Sequence, residues 1–320
     1  MIAFTAIIGL MGRQPGVTMK NHEYHLLDVF TDRAFTGNPL AVFPQAEGMD
    51  TATMQAIANE LNLSETVFVG EASAPGHYPI RIFTPARELP FAGHPTVGTG
   101  HLLAELGMVN RNSPLTLVAR VGPLVVRYEN DLAGFTTAAP IEIQASTLNP
   151  LTAAQLLSLD EAEVVGEPVL ASCGLPYHLI ELDSLEALGR AQPSANVWSE
   201  WVSPSGYDQI YLYVMGSTSS DEIPIRARMF SSQGGGREDP ATGSAASALA
   251  GHLAISSGKT SSYRWDIHQG VEMGRPSQIF ASAEFDGRDW AIRIAGKALV
   301  VGTGMLKGVP AKTIAGDKAI

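Results

Sequence analysis

Three short stretches recur in the same order at nearly the same separation, and this constrains the fold more than any other feature of the chain. Tyr24-His25-Leu26-Leu27 returns as Tyr177-His178-Leu179-Ile180, Arg81-Ile82-Phe83 as Arg228-Met229-Phe230, and Gly100-His101-Leu102 as Gly251-His252-Leu253, at offsets of 153, 147 and 151 residues. A near-constant offset of this kind is the signature of a duplicated fold. It predicts two similar domains packed face to face, with residues 21–145 forming the first and 146–305 the second. Residues 1–20 read as an extension and 306–320 as a C-terminal segment, with the C-terminal end available to complete the first domain. The stretch 136–150, bearing threonine and proline, is the expected linker.

Local patterns supply the elements. Tyr24 to Phe30 and Leu40 to Phe43 read as strands joined by the turn-like Thr36-Gly37-Asn38-Pro39, a hairpin. Met54, Ile57, Ala58 and Leu61 recur at helical spacing after Asp50. Strands are expected at 64–69, 81–85, 115–121 and 124–128, a short helix at 152–159, and further strands from Trp265 to Gly302. Gly274-Arg275-Pro276-Ser277 reads as a turn at a strand edge.

Two small-residue helices stand apart. One opens at Phe91-Ala92-Gly93-His94-Pro95-Thr96 and runs from Val97 to Leu106. The other opens at Asp239-Pro240-Ala241-Thr242-Gly243-Ser244, after the run Gly234-Gly235-Gly236, and runs from Ala245 to Ser256. Asp239 is placed where an N-cap would stand and Pro240 in the first turn. The free amides of a first helical turn attract anions, each favourable charge contributing roughly 0.3–1 kcal/mol. If the domains are equivalent, both positive helix ends face one cleft, where a carboxylate or phosphate would bind. The glycine run carries neither a P-loop lysine motif nor a strand-borne G-x-G-x-x-G, so it does not read as a nucleotide site.

Composition narrows the function. With 45% hydrophobic and 17% charged residues in 320, the chain has ample core for a globular protein. Its net charge of −11 disfavours nucleic acid and anionic membrane surfaces, leaving small molecules as the expected partners. The single Cys173 cannot form an intrachain disulfide and suits the reducing cytoplasm; it reads as a small core residue. The apolar run in the first twenty residues is too short to span a bilayer.

Asp28-Val29-Phe30 with Gly37-Asn38-Pro39, Ser64-Glu65-Thr66, Gly93-His94-Pro95-Thr96 and Asp239-Pro240-Ala241-Thr242-Gly243-Ser244 together resemble, in order and over nearly the whole chain, the phenazine-biosynthesis PhzF-like family. The resemblance implies an α+β fold like that of diaminopimelate epimerase: two similar domains, each a mixed, largely antiparallel sheet curled around a central helix, with the site between them. It also implies a homodimer and the isomerisation of trans-2,3-dihydro-3-hydroxyanthranilate without a metal or organic cofactor. Carried over residue by residue, the proton-moving glutamate matches Glu65, the site histidine and aspartate match His94 and Asp239, and the ligand-holding residues match Gly93, Gly243 and Ser244. Ser64 and Asn38 complete the expected substrate-binding set.

The residues themselves fit proton transfer. Glu65 lies among Leu61, Leu63, Val67, Phe68 and Val69, surroundings that disfavour its charged form and bring a carboxyl toward neutrality. His94 at a helix mouth is expected to stay neutral. His101, His252, Tyr177 and His178 are expected to serve packing. Diaminopimelate epimerase uses one cysteine at each helix mouth; neither mouth here holds a thiol, so a two-thiol mechanism does not apply. Two other readings remain open at this point: an epimerase pairing Glu65 with His94 or Asp239, and a non-catalytic protein that keeps the cleft for binding.

Overall fold

The computed structural model describes residues 19–217, 222–232, 237–258 and 261–310. Residues 1–18 of the expected extension, the glycine run Gly234-Gly235-Gly236 and the last ten residues lie outside the described residues, whereas Met19 and Lys20, expected in the extension, already belong to the first strand.

The first half begins with β1 (Met19–Val29) and β2 (Asn38–Phe43), an antiparallel hairpin. Helix α1 (Thr51–Leu61) follows, capped by the Asp50 side chain on Thr53 N and closed by Asn62 in the left-handed region (φ 49°). It leads to β3 (Glu65–Val69), parallel to β2, and then to β4 (His77–Phe83), antiparallel to β3. The short β5 (Glu88–Leu89) and α2 (Gly93–Glu105) precede β6 (Leu115–Ala119), which is parallel to β4. β7 (Gly122–Glu129) and β8 (Leu132–Thr136) continue antiparallel.

The chain then crosses over. The expected linker contains a strand, β9 (Glu142–Ala145), which pairs with β10 (Val164–Ser172) after the intervening α3 (Pro150–Leu157). From β10 the order of pairings repeats. β11 (Pro176–Leu182) is antiparallel to β10; α4 (Leu185–Arg190) and α5 (Ala195–Val197) lead to β12 (Gln209–Met215), parallel to β11. β13 (Ile223–Ser231) is antiparallel to β12, and the short β14 (Arg237–Asp239) and α6 (Gly243–Ser256) precede β15 (Tyr263–Gln269), parallel to β13. β16 (Ser277–Phe285) and β17 (Trp290–Gly296) continue antiparallel. β18 (Ala298–Pro310) then returns to pair with β1, mirroring the crossing of β9, and β8 joins β17 in register at Phe135 and Ile294. Each half is therefore closed by a strand that arrives from the other.

The duplication is real, but only one of the three echoes marks it. Arg81 and Arg228 occupy equivalent places: each grips a glutamate on the neighbouring short strand through two bonds, Glu88 at 2.7 Å and Glu238 at 2.8 and 2.9 Å. Each also lies over the aromatic ring two residues on, Phe83 at 5.1 Å and Phe230 at 4.8 Å. Tyr24, by contrast, is in β1, whereas Tyr177 is in β11, the counterpart of β2. The two helices start at Gly93 and Gly243, so Gly100 and Gly251 fall one position out of step.

Both central helices are buried on every side: α2 from Gly93 to Leu103 and α6 from Gly243 to Gly251. The sheets wrap them, which is the expected diaminopimelate-epimerase-like fold. Small residues make this possible. A Cβ on Gly98 would meet Leu40 Cδ2 at 2.6 Å and Val29 Cγ2 at 2.7 Å. Outside this core, Leu156 of α3, Leu188 of α4 and Trp198, in the helical turn that follows α5, cover the far face of β12. Among the described residues no helix is long and apolar enough to cross a membrane.

A second set of contacts ties the halves at the cleft. The Arg275 guanidinium, in the turn between β15 and β16, donates to Asp28 Oδ1 (2.6 Å), Thr36 O (2.9 Å) and Gly37 O (2.8 Å). Gly37 N returns a bond to Pro276 O, and Gln278 N donates to Phe30 O. The expected edge turn is thus the staple that fixes the loop carrying Asn38.

Candidate active site

The mouths of α2 and α6 meet head to head. A Cβ on Gly93 would lie 3.2 Å from Gly243 Cα and 3.3 Å from Ser244 N, tight enough to push the facing backbone away by a few tenths of an ångström. Neither helix is capped by a side chain: the N-caps are Ala92 and Thr242, and neither makes a cap hydrogen bond. Two sets of free amides and two positive dipole ends converge on one spot.

Asp239 is not the N-cap expected from sequence. It ends β14, three residues before the N-cap Thr242, and Pro240 also lies outside the first turn. Its carboxylate is occupied elsewhere: Oδ1 accepts from Asn38 Nδ2 (3.0 Å) and Oδ2 from the Thr242 hydroxyl. Asn38 Nδ2 also donates to Ala241 O (2.9 Å), so one fully buried amide of the first half holds the mouth of the second.

Glu65 opens β3 on the same face as Val67 and Val69, which pack toward α2. Its side chain is 16% exposed and its Oε2 lies 3.3 Å from His94 Nε2. The contact lacks the alignment of a hydrogen bond, and Nε2 is left without a partner. The other ring nitrogen bonds the backbone at Pro39, which offers only a carbonyl, so the ring donates there and Nε2 is the bare acceptor. Burial holds His94 down to about 3, keeping it neutral. Burial, and after it the negative charge of Asp239, push Glu65 up to about 8. Asp239 is itself raised to about 6 by burial, against the bonds from Thr242 and Asn38. A proton-bearing carboxyl thus stands opposite an imidazole that stays neutral and can only accept a hydrogen bond, and with its value near 8 the carboxyl itself gives up or regains its proton near neutral pH.

The structure gathers most of the residues singled out from sequence. Glu65, His94, Asp239, Gly93, Gly243, Ser244 and Asn38 surround the joined mouths. Ser64 sits one residue outside and is exposed. Three participants were missed. Tyr177, expected to serve packing alone, bonds Ser244 Oγ at 2.6 Å from a fully buried position. Tyr211 donates to Gln269 Oε1 (3.1 Å), and Gln269 Nε2 donates to Asp239 O (2.8 Å) and Thr242 Oγ1 (3.0 Å). The signal for Gln269 was a polar residue on the inward face of an alternating strand, in step with Trp265 and Ile267, just before Gly270, whose φ of 72° lets the chain turn against Pro240. Cys173 takes no part: it donates to Ser247 O at 3.3 Å, and burial pushes its thiol up to about 12. Among the described residues no group of three or more His, Cys, Asp and Glu side chains is gathered as a metal site requires.

The profile of the phenazine biosynthesis-like protein family, PhzC-PhzF, matches residues 27–304. The chain belongs to that family. Within and around it, an uncharacterised isomerase of Mesorhizobium japonicum is 40% identical, the match covering 90% of this chain and 99% of the relative. The trans-2,3-dihydro-3-hydroxyanthranilate isomerase of Pseudomonas fluorescens is 35% identical over 89% of this chain and 99% of its own length. The crystal structure of a PhzF-family phenazine biosynthesis protein of Bacillus anthracis superposes with a TM-score of 0.82 at 22% identity, covering 90% of this chain and 99% of that one. The PhzF family match spans both helix mouths, Glu65 and Asp239.

Proposed function

We propose that the chain is a cofactor-independent isomerase that moves a proton within a small, cyclic, carboxylated substrate, with Glu65 as the carrier. The observation that supports this most directly is the pairing of a buried Glu65 with a neutral His94 between two uncapped helix mouths. The substrate carboxylate would rest on the amides at Gly93 and His94 and at Gly243 and Ser244. Asp239 would accept from a substrate amine or hydroxyl. In its ionised form Glu65 takes a proton from a substrate carbon; the electron pair released moves through the conjugated ring, and Glu65 returns the proton to a second carbon. His94 Nε2 holds the protonated carboxyl in place between the two events. Nothing is gained or lost, so the product is an isomer.

The relative of known name suggests trans-2,3-dihydro-3-hydroxyanthranilate as the substrate class to try. The test is conversion of that compound followed by absorbance and NMR. Turnover by the wild type supports the reading, and a folded wild type that leaves the compound unchanged contradicts this choice of substrate.

A further inference from the structure

The duplication gives the strands and central helix of the first half counterparts in the second, and the registers identify the counterpart of Glu65. Phe83 and Phe230 are equivalent through the matching Arg81 and Arg228 devices. Phe83 pairs with Thr66 across β3 and β4, and Phe230 pairs with Ile210 across β12 and β13. One residue earlier stand Glu65 and Gln209.

The faces agree. Ile210, Leu212 and Val214 pack outward with Leu156, Leu188 and Trp198, whereas Tyr211 and Tyr213 pack inward with Ala245, Ala248 and Leu249 of α6. Strand alternation puts Gln209 on the inward face with Tyr211, as Glu65 is with Val67. Ser244 occupies the place of His94 at the facing mouth. The Gln209 amide oxygen is buried and has no hydrogen-bond partner, as is the amide oxygen of Asn38. A buried acceptor left unpaired destabilises the fold, a cost that persists where a ligand supplies the missing donor.

We propose that Gln209 contacts the substrate from the second half of the site, its amide oxygen accepting a hydrogen bond from an N–H or O–H group of the bound molecule. The inference rests on the proposed isomerase reading and extends it. It makes the site asymmetric: one half offers a carboxyl that exchanges protons, the other a neutral amide that only holds. A single proton carrier fits movement of a proton between two carbons of one molecule better than inversion, which needs a base on each side.

The test is Gln209→Met, which keeps the side-chain length and removes the acceptor. Thermal unfolding, KM and kcat for trans-2,3-dihydro-3-hydroxyanthranilate, and equilibrium binding of 3-hydroxyanthranilate by its fluorescence are compared with wild type. The proposal expects an unfolding temperature at or above that of wild type, KM and probe dissociation constant raised about tenfold, the size of one hydrogen bond, and kcat within about twofold. An unfolding temperature lowered by several degrees would show that the amide serves the fold and overturn the proposal, as would unchanged KM and probe binding. If wild type binds the probe but does not turn over the substrate, weakened binding by Gln209→Met still supports the contact while the choice of substrate fails. If wild type neither turns over nor binds, both are overturned.

Discussion

Glu65 and His94 are both held in their neutral forms by burial, and each has a consequence that pH exposes. A carboxyl whose folded value is raised binds its proton more tightly in the native state. Its contribution to stability is therefore complete below the unfolded value of 4.5 and is lost as pH rises through about 8. His94 works in the opposite sense: its folded value is depressed, so its contribution is present above 6.5 and is lost as pH falls toward about 3. Glu65→Gln cannot ionise, so its unfolding temperature should gain on wild type as pH is raised from about 5 to about 9. Thermal melts across that range check it, and a constant difference would show that Glu65 is not buried as a neutral acid. The same proton governs catalysis. Because the carboxylate form takes the first proton, kcat/KM should climb about tenfold per pH unit below pH 8 and level off above it. A profile flat from pH 6 to 8 would contradict the assignment.

At the scale of elements, α2 trades intrinsic helix propensity for closeness. Gly98 and Gly100 each cost a helix interior about 1 kcal/mol relative to alanine, yet Gly98 has no room for a methyl beside Leu40 and Val29. Gly98→Ala should therefore destabilise the protein by about 1–3 kcal/mol instead of stabilising it, measured by urea unfolding; a stabilised variant would show that the sheet yields easily. These helices were legible in sequence because small residues gathered in two blocks, and their burial on all sides followed from the lack of a polar stripe. The start of α6 was misplaced by a few residues. Asp239 and Pro240 carry the usual signs of a helix opening, but a strand pairing to Met229 claims Asp239 first, and Asn38 and Thr242 claim its carboxylate. Tyr177 and Tyr211 were hidden for a related reason: in apolar strands an aromatic ring reads as core, and only the structure shows that the hydroxyl at its tip ends among the site residues.

Across the whole molecule, the two halves are joined by swapped closing strands and by Arg275. Asp28 is buried, and besides Phe35 N at 2.6 Å its carboxylate is answered by the Arg275 guanidinium. Removing that cation leaves a buried charge without its counter-ion. Arg275→Met should cost on the order of 3 kcal/mol, and amide hydrogen exchange should rise in the loop from Thr31 to Asn38 and, through Asn38, at residues 239–242. Faster exchange in the loop alone would show that the staple does not reach Asp239. The duplicated plan was visible before the structure, although two of the three echoes that suggested it were coincidence. What repeats is the order of parallel and antiparallel pairings and the Arg–Glu–Phe device, and pairing order leaves little trace in a single sequence.

The proposed reaction requires that Glu65 carry the proton. The decisive measurement is NMR of trans-2,3-dihydro-3-hydroxyanthranilate incubated in deuterated water with wild type and with Glu65→Gln, both shown to be folded. Conversion by wild type alone is the predicted result, with deuterium at the newly protonated carbon to the extent that the partly exposed Glu65 carboxyl exchanges with solvent before it returns its proton; turnover that survives in Glu65→Gln would contradict it.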